Sequence, residues 1–282
     1  MPTARALGLV HLTRAKAHRY LWDTLSEAER QRETPIFDDM LTEANQAATL
    51  LRTSPADRVD ALLERGCVYR EMARVRHQQG RSNEEKDLAD KCRKDLERAT
   101  ILAGALGLVG QQALAWTNLG WLLYYIGETE AVAGALQQAR QLLPEEYLFQ
   151  VKGGLPPMAD DEQIGEATLP YWSTLGKCEM LKAYLALDQA AAAQGKQEHE
   201  TALQTAAKHV SLSLAYDELV ADSYFELTRA EEGLHKRTLH DNLSIRLLHK
   251  CAKQAAEQQG LKQPTRYQSF LNRMFGPPDL WA

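Results

Sequence analysis

The chain has 282 residues, 44% hydrophobic and 25% charged, with a formal net charge of −5. That balance supports a buried core and excludes general disorder. Four widely spaced cysteines form no C-x-x-C, and no apolar run reaches the ~18 residues of a membrane span, so buried thiols and a cytoplasmic, membrane-free protein are expected.

Charge is unevenly placed. Residues 1–98 carry 18 Lys/Arg and 17 Asp/Glu, residues 99–170 carry 2 and 8, and residues 233–275 carry 8 and 2. Abundant Ala, Leu, Gln, Glu and Arg favour helices throughout. The first expected pair is "ARALGLVHLTRAKAHRYLW" (4–22) with "FDDMLTEANQAATLL" (37–51). Its start breaks the apolar run with His and Arg and lacks an A-x-A-like site, which makes a poor signal peptide. The second pair joins "LLERGCVYREMARVR" (62–76) to "DLERATILA" (95–103). On the long first helix of that pair, Arg70, Arg74, His77 and Arg81 form a stripe, expected to meet the acids of "SNEEKDLADK" across the hairpin.

The third segment, "AWTNLGWLLYYIGETEAVAGALQQARQLLP" (115–144), has a distinct spacing. Trp116, Leu119 and Gly120 form W-x2-L-G, Gly127 follows seven residues on, and Ala139 and Pro144 stand 19 and 24 residues after Gly120. A small residue at 120 admits a closely packed second helix. Gly127 suits the left-handed end of the first helix, Ala139 suits a crossing, and Pro144 stops the second helix. This resembles the tetratricopeptide repeat, a helix–turn–helix unit of about 34 residues, although Leu123 stands where the family prefers Tyr. From Gly66 to Ala99 there are 33 positions against 19 from Gly120 to Ala139, a surplus of 14. Shared as seven per helix, that is two whole turns each, leaving apolar faces unrotated.

Residues 145–170, "EEYLFQVKGGLPPMADDEQIGEATLP", read as a loop insertion that separates N-terminal helix pairs (1–144) from C-terminal pairs and a cap (171–282). "YWSTLGKCEMLKAYLAL" (171–187) repeats W-x2-L-G at Trp172, Leu175 and Gly176. Beyond it the motif fades while helical periodicity continues, with Asp217 and Asp241 or Asn242 as N-caps, as atypical terminal repeats do. The resemblance covers residues 1–216 in period and is motif-specific in 113–144 and 169–186. It implies an all-α, right-handed α-solenoid of about five antiparallel helix pairs, some of them lengthened. Degenerate arrays of this kind resemble the sensor or scaffold regions associated with bacterial signal-transducing ATPases. No G-x4-G-K-[ST] phosphate loop is present.

No H-E-x-x-H, G-x-S-x-G or G-x-G-x-x-G occurs, and His235, His240 and His249 are not spaced as a zinc pair. No enzyme, metal or cofactor is therefore expected. In the family the first helix of each pair lines the concave groove. Where the motif matches, this implies partner-binding positions Thr117, Trp121, Tyr124 and Tyr125, then Ser173 and Lys177, with Met180 and Leu181 beside them. The alternative is that Trp121 and Tyr124 belong to the core between repeats. The Lys/Asn clamp with which some members hold a terminal carboxylate is missing, because 117 is Thr and 121 is Trp. The expected function is a signalling scaffold or sensor subunit that binds a protein or peptide. The alternative is nucleic-acid contact, or an acidic-partner contact, through Arg246, Lys250 and Lys253, with Lys262, Arg266, Tyr267 and Phe270 nearby. A peptide receptor of the bacterial quorum-sensing type is a weaker reading, since residues 1–60 do not read as the helix-turn-helix domain that those usually carry.

Overall fold

A computed structural model describes residues 3–24, 35–143 and 169–216, and all of the regular structure in them is helical. Eight helices are described: α1 (Ala4–Thr24), α2 (Pro35–Leu50), α3 (Pro55–Gln78), α4 (Ser82–Ala105), α5 (Val109–Tyr125), α6 (Thr129–Gln141), α7 (Leu169–Ala192) and α8 (Lys196–Tyr216). The chain divides into two compact units, Met1–Tyr147 and Leu148–Ala282. In the first, α1/α2, α3/α4 and α5/α6 are packed pairs; in the second, α7/α8 is one. Within the first unit α2 also packs on α3 and α4 on α5, while the first helices meet along α1–α3–α5. Of the expected insertion, residues 169 and 170 belong to α7, and the rest lies outside the described residues, as do Pro144 and Asp217 onward.

Three helix ends are built alike. Gly127 has φ +80° after α5, where its N–H donates to the Tyr124 carbonyl and the Glu128 N–H reaches back to that of Leu123. This is the Schellman arrangement, which satisfies carbonyls orphaned at the helix end and needs a residue without a Cβ penalty. Gly80 and Gly107 repeat it after α3 and α4, each with φ +69°. The same device turns the chain into α4, α5 and α6.

A second glycine series lies in the first helix of each pair. Gly8, Gly66, Gly120 and Gly176 occupy α1, α3, α5 and α7 at spacings of 58, 54 and 56 residues. The α3/α4 pair, Pro55–Ala105, is longer than the 34-residue repeat, whereas α5/α6, Val109–Gln141, is close to it. A Cβ on Gly8 would lie 2.6 Å from Leu51, and one on Gly66 would lie 2.8 Å from Leu96 Cδ2. Cys92 Sγ donates to the Gly66 carbonyl at 3.1 Å, and Ser213 Oγ donates to that of Gly176 at 2.8 Å. In these two pairs a small polar group of the second helix rests on the glycine of the first. α3 has 24 residues against 17 in α5, and α4 has 24 against 13 in α6; the surplus falls as seven before Gly80 and seven between Gly80 and Ala99, and α4 runs four residues further beyond Ala99. The additions, seven and eleven residues, are close to two and three whole turns, so the apolar faces stay in register.

The core of the first unit follows these contacts. Val59, Leu62, Leu88, Cys92, Leu96 and Leu122 join α3, α4 and α5. Trp22, Phe37, Met40, Val68 and Val75 join α1, α2 and α3. Gly66→Val should destabilise the first unit by about 2–3 kcal/mol, because Leu96 is buried and cannot yield. Gly134→Ala in α6, with nothing within 4 Å of the added methyl, should stabilise it by up to about 1 kcal/mol. Denaturant unfolding followed by hydrogen exchange of α3–α6 peptides separates the two outcomes; equal shifts would refute the packing argument.

Candidate functional site

The strongest juxtaposition of chemically distinctive side chains lies where α3 meets the second half of α5. On α5, Trp121, Tyr124 and Tyr125 fall three and four residues apart and so project from neighbouring positions on the helix. Their rings touch one another: Trp121–Tyr124 centroids are 6.2 Å apart in a T-shaped contact, Trp121–Tyr125 are 5.6 Å apart and Tyr124–Tyr125 5.8 Å. Trp121 is only 9% exposed and its body is core; both tyrosines are half-buried and reach solvent. Arg74 of α3 lies over the Tyr125 ring, 5.5 Å from the centroid, a favourable cation–π arrangement.

Beneath the rings runs a charged seam. Glu71 bridges two arginines on its own helix, Arg70 at 2.8 Å and Arg74 at 3.1 Å. Arg70 Nη1 also donates to Asn118 Oδ1 of α5, and Asn118 Nδ2 donates to the Leu114 carbonyl at 3.0 Å. These side chains have left water almost completely: Arg70 is 14%, Arg74 12% and Glu71 8% exposed. Burial works against the Arg70 charge, yet Glu71, with Cys67 and Tyr125 close by, holds its pKa above the ordinary arginine value. Two further buried pairs continue the seam. Arg19 Nε of α1 meets Glu64 of α3 at 2.7 Å, and Arg65 meets Asp95 of α4 at 2.6 Å while also reaching Asn45 of α2. The seam ties α3 to α1, α2, α4 and α5, and its Arg74 is the member that meets the aromatic cluster.

Of the residues expected from the motif, Trp121, Tyr124 and Tyr125 come together. Thr117 does not join them at the surface: it is fully buried and its hydroxyl donates to the Ala113 carbonyl at 2.9 Å. Lys177 is half-buried on α7 and Ser173 lies in the same helix, its side chain outside the described residues; both belong to the second unit. Met180 and Leu181 are core. Arg246, Lys250 and Lys253 lie outside the described residues. The expected surface stripe is split. His77 and Arg81 meet Glu85 and Glu84, whereas Arg70 and Arg74 turn inward to Glu71 and α5. Reading the motif missed Glu71 and Asn118. The available signal was the seven-residue interval between Glu64 and Glu71, which puts two acids on one side of α3.

In the second unit, Glu179 of α7 is buried and accepts from Lys182 Nζ at 2.6 Å, with His209 Nδ1 of α8 at 2.7 Å. Burial alone would raise its pKa, but the His209 hydrogen bond and Lys182 outweigh this and hold it below the ordinary value of 4.5. A lowered folded-state pKa means that the unfolded chain binds more protons in that range. The stabilisation is complete above about pH 4.5 and disappears as pH falls through the lowered value. Hydrogen exchange of α7 and α8 peptides, corrected for intrinsic rates, should show loosening on acidification that Glu179→Gln flattens; an unchanged pH profile in that variant would refute the assignment.

Burial pushes the Cys92 thiol upward, so it stays protonated as a donor to Gly66. Cys178 is buried and Cys67 half-buried. Among the described residues no group of three or more His, Cys, Asp or Glu side chains could hold a metal, and no helix is long and apolar enough to cross a membrane. No protein-family model, no curated protein and no solved structure matches the chain.

Proposed function

We propose that the chain is a non-enzymatic scaffold or sensor subunit, a tetratricopeptide-like right-handed solenoid that binds a protein or peptide partner through the groove formed by its first helices. The observation that carries this reading is the Trp121–Tyr124–Tyr125 cluster, held against α3 by Arg74 in a stack of packed helix pairs. Aromatic side chains with one buried and one wet side supply contact area at small entropic cost, and Tyr, Trp and Arg are the residues that dominate protein interfaces. Extended peptides and amphipathic helices are the partners such a surface receives.

A photo-crosslinking residue placed at Tyr124, and as control at exposed Gln137 on α6, tests the reading in the native host. The expected result is one stoichiometric protein crosslinked from 124, absent from 137, and retained after nuclease treatment. Equal labelling from both positions, or a product that vanishes with nuclease, would transfer the function away from this groove.

A further inference from the structure

We infer that one end of the first unit, formed by the α2–α3 and α4–α5 turns, rests on an anionic lipid surface. α3 and α4 are antiparallel helices of 24 residues each. The Arg65–Asp95 ion pair lies ten residues in from Pro55 on one and ten from Ala105 on the other. The turn before α3 and the turn after α4 therefore share one end. Ile101, at 73% the most exposed large hydrophobic among the described residues, stands near the end of α4, and Leu106 follows in the turn at 42%. Gly104, Ala105 and Gly107 are exposed beside them, and Leu108 and Val109 are half-buried. No residue from Ala99 to Gly127 is charged, so seating this turn in lipid strips water from no ion of its own. The N–H groups of Leu106, Gly107, Leu108 and Val109 all donate to carbonyls within the turn or the end of α4. Entry into an apolar medium requires such pairing.

Charge defines the lipid. Arg52 lies in the α2–α3 turn, Arg58 in the first turn of α3, and Arg98 three residues before Ile101. Arg52 and Arg98 are exposed and Arg58 is half-buried, and none of the three side chains meets an acid or another acceptor among the described residues. Of the acids at this end, Asp57 is taken by Arg5 at 2.6 Å, Asp60 is half-buried and Glu97 is exposed. Guanidiniums beside an apolar tip bind lipid phosphates while the tip enters the acyl boundary. The apolar side chains stand on a turn, which suits a deformable surface better than the groove that a partner helix needs. A second copy would set the same arginines against one another. The contact departs from the membrane-free expectation, which rested on spanning segments alone. The aromatic cluster occupies the far end of α5, so the two surfaces do not compete.

The test uses the full chain and cosedimentation with vesicles of phosphatidylcholine, alone or mixed with phosphatidylserine. Binding to the mixed vesicles alone is expected, weakening with salt. Ile101→Glu, and Arg52→Glu combined with Arg58→Glu, should each weaken it by about tenfold or more. The reversal Lys86→Glu, at the opposite end of α4, should leave it unchanged; unaltered circular dichroism verifies folding. Equal binding to both kinds of vesicle, or to neither, overturns the proposal. So does binding that Ile101→Glu leaves intact and Lys250→Glu abolishes, which would move the contact to the C-terminal basic residues. A dimer lost in Ile101→Glu during sedimentation would make the occupant a second copy. Saturable binding of a designed glutamate-flanked helix, lost in Ile101→Glu and without vesicle binding, would overturn the proposal in favour of a protein partner.

Discussion

Replacement of Glu71 by Ala should destabilise the first unit by about 3–5 kcal/mol, the cost of breaking a buried ion pair by removing one partner. Glu71 is the acid placed between Arg70 and Arg74, with contacts at 2.8 and 3.1 Å and little solvent around any of the three. Without it two guanidiniums stay in a region where water cannot replace the lost carboxylate. Arg70 would keep Asn118, and Arg74 would keep the face of Tyr125. Glu71→Gln should cost less, since its amide oxygen still accepts a hydrogen bond but carries no charge. The loss should be seen first in α3 and α5, as faster hydrogen exchange of their peptides, and α7/α8 should be unaffected. A ΔΔG below about 1 kcal/mol for Glu71→Ala would show that the arginines simply swing to solvent, as surface pairs do. The same variant bears on function: if the seam orients the aromatic cluster, crosslinking from Tyr124 should fall along with stability.

Trp22→Ala should cost about 3–5 kcal/mol, within the range for large-to-small changes at buried aromatics. Trp22 has no exposed surface and packs on Phe37 with ring centroids 4.0 Å apart. It closes the cluster formed with Met40, Ala44, Val68 and Val75, which is where α1 and α2 are held to α3. The cavity would open at a three-helix junction, so α1 and α2 should show the greatest rise in exchange. Trp22→Phe should recover much of the stability, because an aromatic ring still meets Phe37. Urea midpoints for the Ala and Phe variants check this directly. If both shift equally, neither the ring contact nor the lost volume explains the effect, and the indole itself is what the site requires.

The sequence carried much of this fold, and particular residues show how. Gly127 ends α5 in the left-handed conformation expected of it, because helix termination is a local event set by φ and by the last carbonyls. The surplus between Gly66 and Ala99 foretold long helices, and α3 and α4 are each 24 residues. That surplus divides evenly, as expected: Gly66 to Gly80 exceeds Gly120 to Gly127 by seven positions, and Gly80 to Ala99 exceeds Gly127 to Ala139 by seven. Within the site, the spacing of Trp121, Tyr124 and Tyr125 foretold their meeting, as three- and four-residue intervals on a helix always do.

Helix content, the hairpin turns and the aromatic cluster on α5 were therefore determined by the sequence alone, since each depends on neighbours within about one turn of chain. Only the tertiary structure decided which polar side chains are buried. Arg70 and His77 share a stripe on α3, yet Arg70 meets Asn118 of α5 and His77 meets Glu85 of α4. Thr117, placed by its motif beside Trp121 at the groove, is sealed inside against its own helix. Helical period records the direction in which a side chain leaves its axis. Whether it then meets water, an acid or an aromatic ring depends on the length and crossing of a helix many residues away, and no local pattern encodes that.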